Sequence, residues 1–114
     1  MGTNKYNARK VTLDDYTFDS QREAARYGEL LLLQKAGEIS GLEVHPALVL
    51  QQAFAYRGKH VRAIKYEADF SYIEDGTLVY EDVKGKETAD FRIKWKLAQY
   101  LYRDDAWVEF RKVR

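Results

Sequence analysis

One tight turn constrains the fold more than any other feature of the chain. Asp75-Gly76 separates two β-prone runs, "VRAIKYEADFSYI" and "LVYEDVKG", and Asp-Gly is the strongest short signal for a two-residue hairpin loop. Such a loop fixes the register of a long strand and its partner, and it places Asp69 opposite Asp82 and Glu67 opposite Lys84. We therefore predict an antiparallel hairpin that carries these four side chains on one face.

The predicted pair of facing aspartates would destabilise the fold. Cross-strand partners lie about 5 Å apart between their Cβ atoms, and two carboxylates at that distance repel by about 3 kcal/mol at an effective dielectric near 20. A bound divalent cation would remove the penalty. Glu81 falls on the opposite face and is left out of the site, although the sequence gives no reason for a carboxylate there. That face is the predicted core, with Tyr66, Ala68, Phe70, Tyr72, Val79 and Val83.

The other segments predict two helices and several further strands. "VTLDDYTF" is typical of a short hairpin, "LEVHPALVLQQAFAY" of extended chain broken near Pro46, and "WVEFRKV" of a last strand. "TADFRIKWKLAQYLY" predicts a helix with Phe91, Trp95, Ala98 and Tyr102 on one face. This order of elements favours a mixed α/β or α+β domain.

A third carboxylate, Glu23, belongs to the clearest helix, "DSQREAARYGELLLLQKAG". Ser20 and Glu23 have the spacing of a capping box, and Gly37 stands where a C-terminal glycine belongs. On a helical wheel Glu23 lies at the edge of the apolar stripe, whereas Arg22, Arg26 and Glu29 lie on the opposite side. Helix capping and a place in the site are both open for Glu23, and the two roles are compatible.

Composition narrows the classes of protein. The chain has 114 residues, with 46% apolar and 32% charged residues and no cysteine. The length and composition predict one globular domain at 11–114 after a basic N-terminal arm at 1–10. The absence of cysteine excludes disulfides, thiolate metal sites and a cysteine nucleophile. Because no signal peptide or long apolar run is present, we expect a cytoplasmic protein without membrane association.

The net charge is +1, but the basic residues are clustered. Separated clusters permit one basic face and polyanion binding, although solvated surface is the more common explanation of any single cluster. No third ligand is spaced to complete a zinc site with His45 and His60. The candidate nucleic-acid contacts are Arg57, Lys59, His60, Arg62, Lys86, Lys94 and Lys96.

The acidic residues and the lysine suggest a specific chemistry. Carboxylate oxygens suit Mg²⁺, with Mn²⁺ as a substitute, and Lys84 could orient water or hold developing negative charge. "YEADF" and "EDVKG", together with "FDSQREAARYGELLLLQKAG", resemble the motifs of the PD-(D/E)XK nuclease superfamily, although Ala68 replaces the proline. The resemblance implies a restriction-endonuclease-like core, a central mixed sheet with an antiparallel hairpin flanked by helices. It also implies metal ligation by Asp69, Asp82 and Glu23, with Lys84 as a catalytic partner.

From about Lys10 to Leu97 the chain is also similar to a family of small phage-encoded proteins of unassigned function. Small phage and archaeal members of the superfamily include Holliday-junction resolvases, which act as dimers on branched DNA. We therefore expect an Mg²⁺-dependent endodeoxyribonuclease, phage-encoded and homodimeric by analogy, with branched DNA as a candidate substrate. Two alternatives stay open: a non-catalytic nucleic-acid-binding or scaffold protein on a nuclease fold, and an RNA nuclease.

Overall fold

The structure is a computed structural model that describes residues 9–114. Most of the predicted basic arm at 1–10 therefore lies outside the described residues. The elements in chain order are β1 (Val11–Leu13), β2 (Tyr16–Phe18), α1 (Gln21–Lys35), β3 (Ser40–Val44), β4 (Ala47–Gln51), β5 (Phe54–Tyr56), β6 (Lys59–Val61), β7 (Ile64–Glu67), β8 (Phe70–Glu74), β9 (Thr77–Val83), α2 (Ala89–Leu101) and β10 (Val108–Val113).

A mixed four-stranded sheet in the order β10-β9-β8-β3 forms the centre of the molecule. β10 runs parallel to β9, while β9 and β3 both run antiparallel to β8. The hairpin turn is at Asp75-Gly76, as predicted, and both residues have positive φ angles of 51° and 81°. The register from Phe70 opposite Glu81 to Glu74 opposite Thr77 is also the predicted one. The mixed α+β class is therefore confirmed.

The core consists of two clusters that involve different helices. One contains residues of α1 and of strands β8 and β9, among them Tyr27, Leu30 and Phe70. The other joins Trp95 and Ala98 of α2 to residues that include Tyr66, Ala68, Tyr80 and Phe110. The predicted apolar face of α2 is confirmed, and the predicted core face of the long strand is buried but divided between the two clusters.

The predicted long strand from Val61 to Ile73 is wrong, because it is interrupted at residues 62–63 and again at residues 68–69. β7 ends at Glu67 and pairs with β4, so that Glu67 lies opposite Ala47 and not opposite Lys84. The break matches the one at His45-Pro46: His45 N donates to Asp69 O at 2.9 Å, and Ala68 N donates to Pro46 O at 3.0 Å. Both strands bend at the same level, where the proline lacks an N–H group for continuous pairing. The bend carries Asp69 to the end of the central sheet.

Helix α1 begins and ends at the predicted residues. Ser20 Oγ accepts a hydrogen bond from Glu23 N at 3.1 Å, and Gly37 has a φ of 81°. After the helix, Gly37 N donates to Gln34 O at 3.0 Å and Glu38 N to Leu33 O at 2.9 Å, which is the Schellman pattern. Glu23 is thereby fixed in the first turn of α1.

The molecule extends further than a compact domain of its length. Its radius of gyration is 16.0 Å, against about 13 Å expected for a chain of this size. The β5–β6 hairpin, which turns at Arg57-Gly58, pairs with itself and not with the central sheet. Among the described residues, no helix is both long and apolar enough to cross a membrane.

Candidate functional site

Asp69 is held by three hydrogen bonds at the end of the central sheet. Its Oδ2 atom accepts from the backbone N–H of Val83 at 2.7 Å, its N–H donates to Glu81 O at 3.1 Å, and its carbonyl accepts from His45 N. β8 begins only at Phe70, so Asp69 is the residue just before the strand. These bonds bring the first predicted acid to the second acidic segment.

The carboxyl groups of Glu23 in α1 and Asp69 are close enough for each to shift the pKa of the other. Burial, followed by the hydrogen-bonding and charge effects of Glu23, raises the pKa of Asp69 to about 7. Burial also raises the pKa of Glu23, to which the charge of Asp82 adds. The acid that acts most on Asp69 is thus Glu23. The predicted position of Asp69 directly opposite Asp82 lies outside the ladder of β8 and β9, which begins at Phe70 opposite Glu81.

Asp82 is 2% exposed and faces Lys84. The distance from Lys84 Nζ to Asp82 Oδ1 is 3.3 Å. Burial raises the pKa of Asp82 to about 6 even though the charge of Lys84 opposes the change. Within the described chain Asp82 Oδ2 is buried and has no hydrogen-bond partner. Such an atom lacks the compensation that buried polar groups normally have.

Lys84 is fixed on three sides. Besides the ion pair with Asp82, its Nζ atom lies 3.7 Å from the centre of the Phe91 ring in α2. Its backbone carbonyl accepts a hydrogen bond from Arg22 Nη1 at 3.0 Å. The ammonium group is therefore held at the junction of β9, α1 and α2.

His45 is a part of this cluster that sequence reasoning missed. Its Nε2 atom lies 3.1 Å from Glu23 Oε1, and its side chain is 29% exposed. His45 has a φ of 56°, at the bend where its backbone pairs with Asp69. One feature of the sequence could have indicated His45: it precedes Pro46 at the point where the predicted strand breaks. This feature identifies His45 only once it is known that the break lies beside the bend before Asp69.

The carboxylate oxygens of Asp69, Asp82 and Glu23 are ligands of the kind that a hard divalent cation prefers. The arrangement of these side chains, however, is not that of a formed metal site. No group of three or more His, Cys, Asp or Glu side chains in residues 9–114 has the arrangement of a metal site. One oxygen of Asp69 is engaged by Val83 and one of Glu23 by His45. The unpartnered oxygen of Asp82 is the available donor. Three carboxylates without soft ligands match the preference of Mg²⁺ and Mn²⁺.

The neighbouring Glu81 has a structural role that explains why a carboxylate lies among core residues. It is fully buried and binds Arg26 through two bonds of 2.7 and 2.9 Å. Tyr72 OH donates to it at 2.6 Å. The prediction that Arg22 and Arg26 lie on the side opposite the protein body is therefore wrong, because Arg26 binds Glu81 of β9 and Arg22 binds the carbonyl of Lys84 just after that strand.

The predicted nucleic-acid contacts occupy two regions. Arg57, Lys59, His60 and Arg62 lie on or next to the β5–β6 hairpin and are exposed. Lys86 follows the site in the loop before α2. On α2, Lys94 pairs with Asp90 at 3.4 Å and Lys96 is exposed. The site itself is bordered by the second region.

Comparisons with known proteins place the chain in a family without assigning an activity. No curated protein and no solved structure matches it. The family model described as "Protein of unknown function (DUF1064)" matches residues 3–112. Because the match covers nearly the whole sequence, the chain belongs to this family.

Proposed function

We propose that this protein is a metal-dependent endonuclease that hydrolyses phosphodiester bonds in DNA. One observation carries the proposal: Asp82 is buried with an unpartnered carboxylate oxygen, beside Lys84 and within electrostatic reach of Glu23. Glu23 and Asp69 in turn shift each other's pKa. Four charged side chains thus lie at one end of the sheet: one from α1, one from the end of β9, and two from the residues next to β8 and β9.

The contrast between Asp82 and Glu81 supports a functional role for Asp82. Both are almost completely buried on the same strand. Glu81 is neutralised by a bidentate arginine and a tyrosine hydroxyl, whereas Asp82 has one lysine contact and an unsatisfied oxygen. An unsatisfied buried polar group costs about 1–3 kcal/mol. A site that binds a cation explains why this cost is tolerated at Asp82.

In this proposal Asp69, Asp82 and Glu23 hold Mg²⁺, or Mn²⁺ in its place. When bound, such an ion activates water and neutralises charge on the scissile phosphate. Lys84 is placed to orient the attacking water or to donate a hydrogen bond to a phosphate oxygen as negative charge develops. His45 fixes the orientation of Glu23 through the 3.1 Å contact.

DNA is the favoured substrate because of the resemblance to PD-(D/E)XK nucleases, in which a D-X-K motif follows a first acid. Asp82-Val83-Lys84 supplies that motif and Asp69 the first acid. Branched DNA and a homodimer of a phage-encoded protein, acting in the cytoplasm of its host, belong to the same proposal. A chain of 114 residues has little surface with which to span a duplex, and two copies would present two sites to two strands.

The test is cleavage of labelled four-way junction, flap, linear duplex, single-stranded DNA and RNA with Mg²⁺, Mn²⁺ or EDTA. Asp82→Asn is the site variant, and Asp104→Asn is the matched control, because the Asp104 side chain is 91% exposed. We expect metal-dependent cutting of DNA by the wild type and the control and none by Asp82→Asn.

Equal cutting by Asp82→Asn, or cutting in EDTA, would contradict the proposal. Binding of nucleic acid without cleavage by any of the proteins would instead support a non-catalytic binding module, and preferential cutting of RNA would change the substrate class. Misfolding is not expected to confuse the result, since Asp82→Asn removes a buried carboxylate whose pKa is already raised by burial.

A further inference from the structure

The β5–β6 hairpin belongs to the longest part of the chain that has no acidic residue. Residues 44–66 contain no Asp or Glu, in a chain that has 18 of them. The same stretch contains Arg57, Lys59, Arg62 and Lys65. A positive ribbon of this kind is complementary to a polyanion.

In the described part of the chain, three cationic side chains on or next to the hairpin have no partner. Within residues 9–114, the side chains of Arg57, Lys59 and Arg62 form no hydrogen bond or ion pair, whereas the guanidinium groups of Arg26 and Arg111 bind carboxylates at 2.7–3.0 Å. Their charge is not neutralised by the fold, so it remains available to phosphate groups.

One face of the hairpin is aromatic and exposed. Phe54 pairs with Val61 and Tyr56 with Lys59, so these four side chains share a face. Phe54 is 43% exposed and Tyr56 is 62% exposed. Unlike most aromatic residues of the described chain, neither ring contacts another ring. Two rings on one strand, two residues apart, can each receive the flat face of a base.

We infer that the β5–β6 hairpin binds unpaired nucleotides, with bases stacked on Phe54 and Tyr56 and phosphates bound by Arg57, Lys59 and Arg62. The inference rests on the proposed function and names the part of the substrate that the protein engages away from the cleavage site. Unpaired nucleotides fit better than intact duplex, because a duplex hides the base faces that aromatic side chains need.

A second copy of the chain fits this face less well. Two such hairpins in contact would bring their unneutralised cations together, and like charges at an interface oppose association. The small apolar area of two three-residue strands gives little to offset that repulsion. The charge pattern therefore selects nucleic acid as the occupant.

The experiment measures binding by fluorescence anisotropy in EDTA, with a labelled oligothymidylate and a labelled duplex of equal length. The test variant is Phe54→Ala/Tyr56→Ala, and the matched control is Tyr100→Ala, whose ring is 59% exposed on α2. We expect the double variant to lose about tenfold or more in affinity for the single strand, with duplex affinity little changed. Tyr56→Phe keeps the ring and should keep the affinity.

The basic residues are tested separately by Arg57→Gln/Lys59→Gln/Arg62→Gln. If these side chains bind three phosphates, the plot of log affinity for the single strand against log salt concentration should be less steep for the variant than for the wild type, by about 2. Unchanged single-strand affinity in Phe54→Ala/Tyr56→Ala would overturn the inference, and so would a wild-type dimer that this variant converts to a monomer. Circular dichroism of each variant establishes that it is folded.

The failures of the two proposals are distinguishable. Single-strand binding that depends on Phe54 and Tyr56, without cleavage of any substrate, would support the hairpin and contradict the nuclease. If the protein cleaves DNA in a metal-dependent way, and the hairpin variants bind and cut like the wild type, the result would support the nuclease and contradict the hairpin.

Discussion

Asp69 Oδ2 accepts a 2.7 Å hydrogen bond from the backbone N–H of Val83, and this bond joins two acidic segments 14 residues apart in sequence. Val83 lies between Asp82 and Lys84, so the same bond sets the position of both relative to Asp69. A backbone donor also favours the charged form of the Asp69 carboxyl. The bond thus organises the site and partly offsets the cost of burying its first acid.

The buried acids make stability depend on pH in an unusual direction. Burial raises the pKa of Asp69 to about 7 and that of Asp82 to about 6, from 3.8. A raised pKa means that the folded state binds protons more tightly than the unfolded chain, so the stabilisation is lost as pH rises through these values.

We expect the free energy of unfolding in EDTA to fall by on the order of 2 kcal/mol between about pH 5 and about pH 8. Urea unfolding at a series of pH values measures it, and Asp69→Asn should flatten the profile. An equal slope in Asp69→Asn and the wild type would show that this carboxyl is not the cause.

The Glu81 network is predicted to be a main stabilising feature. Glu81→Gln removes the charge that compensates Arg26, and breaking a buried ion pair costs about 3 kcal/mol. Glu29→Gln is the matched control, because Glu29 binds the same arginine at 3.0 Å with a side chain that is 64% exposed. Its loss should cost less than about 0.5 kcal/mol. Equal midpoints of urea unfolding for the two variants would contradict the assignment.

Helix capping and the site role of Glu23 can be separated by two variants. Ser20→Ala removes the cap that accepts from Glu23 N and should cost about 1 kcal/mol of stability without loss of cleavage. Glu23→Gln keeps that backbone bond but removes a ligand charge, and cleavage should fall about 100-fold or more. If Glu23→Gln cleaves normally, the Glu23 carboxylate is not part of the catalytic site.

His45 is predicted to support metal binding through Glu23. His45→Asn tolerates the positive φ of 56° but removes the 3.1 Å contact, and Mn²⁺ affinity should fall about 10–100-fold. Calorimetric titration with Mn²⁺ measures the change, and activity at saturating metal should recover. His60→Asn, on the exposed hairpin, is the control and should bind Mn²⁺ normally. Unchanged affinity in His45→Asn would remove His45 from the site.

Lys84 is predicted to act in the chemical step. Lys84→Gln should lower kcat about 100-fold or more while leaving KM for DNA close to that of the wild type. Lys35→Gln, an exposed lysine in the last turn of α1, controls for the lost charge. A rise in KM with unchanged kcat would show instead that Lys84 only binds substrate.

The sequence predicted the central hairpin because turn chemistry at Asp75-Gly76 is local and fixes the register of distant residues. It failed at the bend before Asp69, where Ala68 and Asp69 carry no turn signal. That bend is a property of two strands together: Pro46 interrupts one, and the hydrogen bonds of His45 and Ala68 impose the break on the other.

The role of Arg26 was missed for a different reason. A helical wheel gives the direction of the Cβ atom, but an arginine side chain is long enough to reach around the helix to a buried partner. Glu81 likewise looked misplaced until its partners were identified as Arg26 and Tyr72. Pairings between distant segments decide both cases, and single-segment patterns do not contain them.

The proposed function requires that the carboxylates of Asp82, Asp69 and Glu23 hold a divalent cation. The most direct measurement is anomalous X-ray diffraction from crystals of the wild type soaked in Mn²⁺, beside crystals of Asp82→Asn treated identically. We expect a manganese peak about 2.0–2.3 Å from carboxylate oxygens of this cluster in the wild type, and none in Asp82→Asn. A wild-type crystal saturated with Mn²⁺ but without a peak among these residues would contradict it.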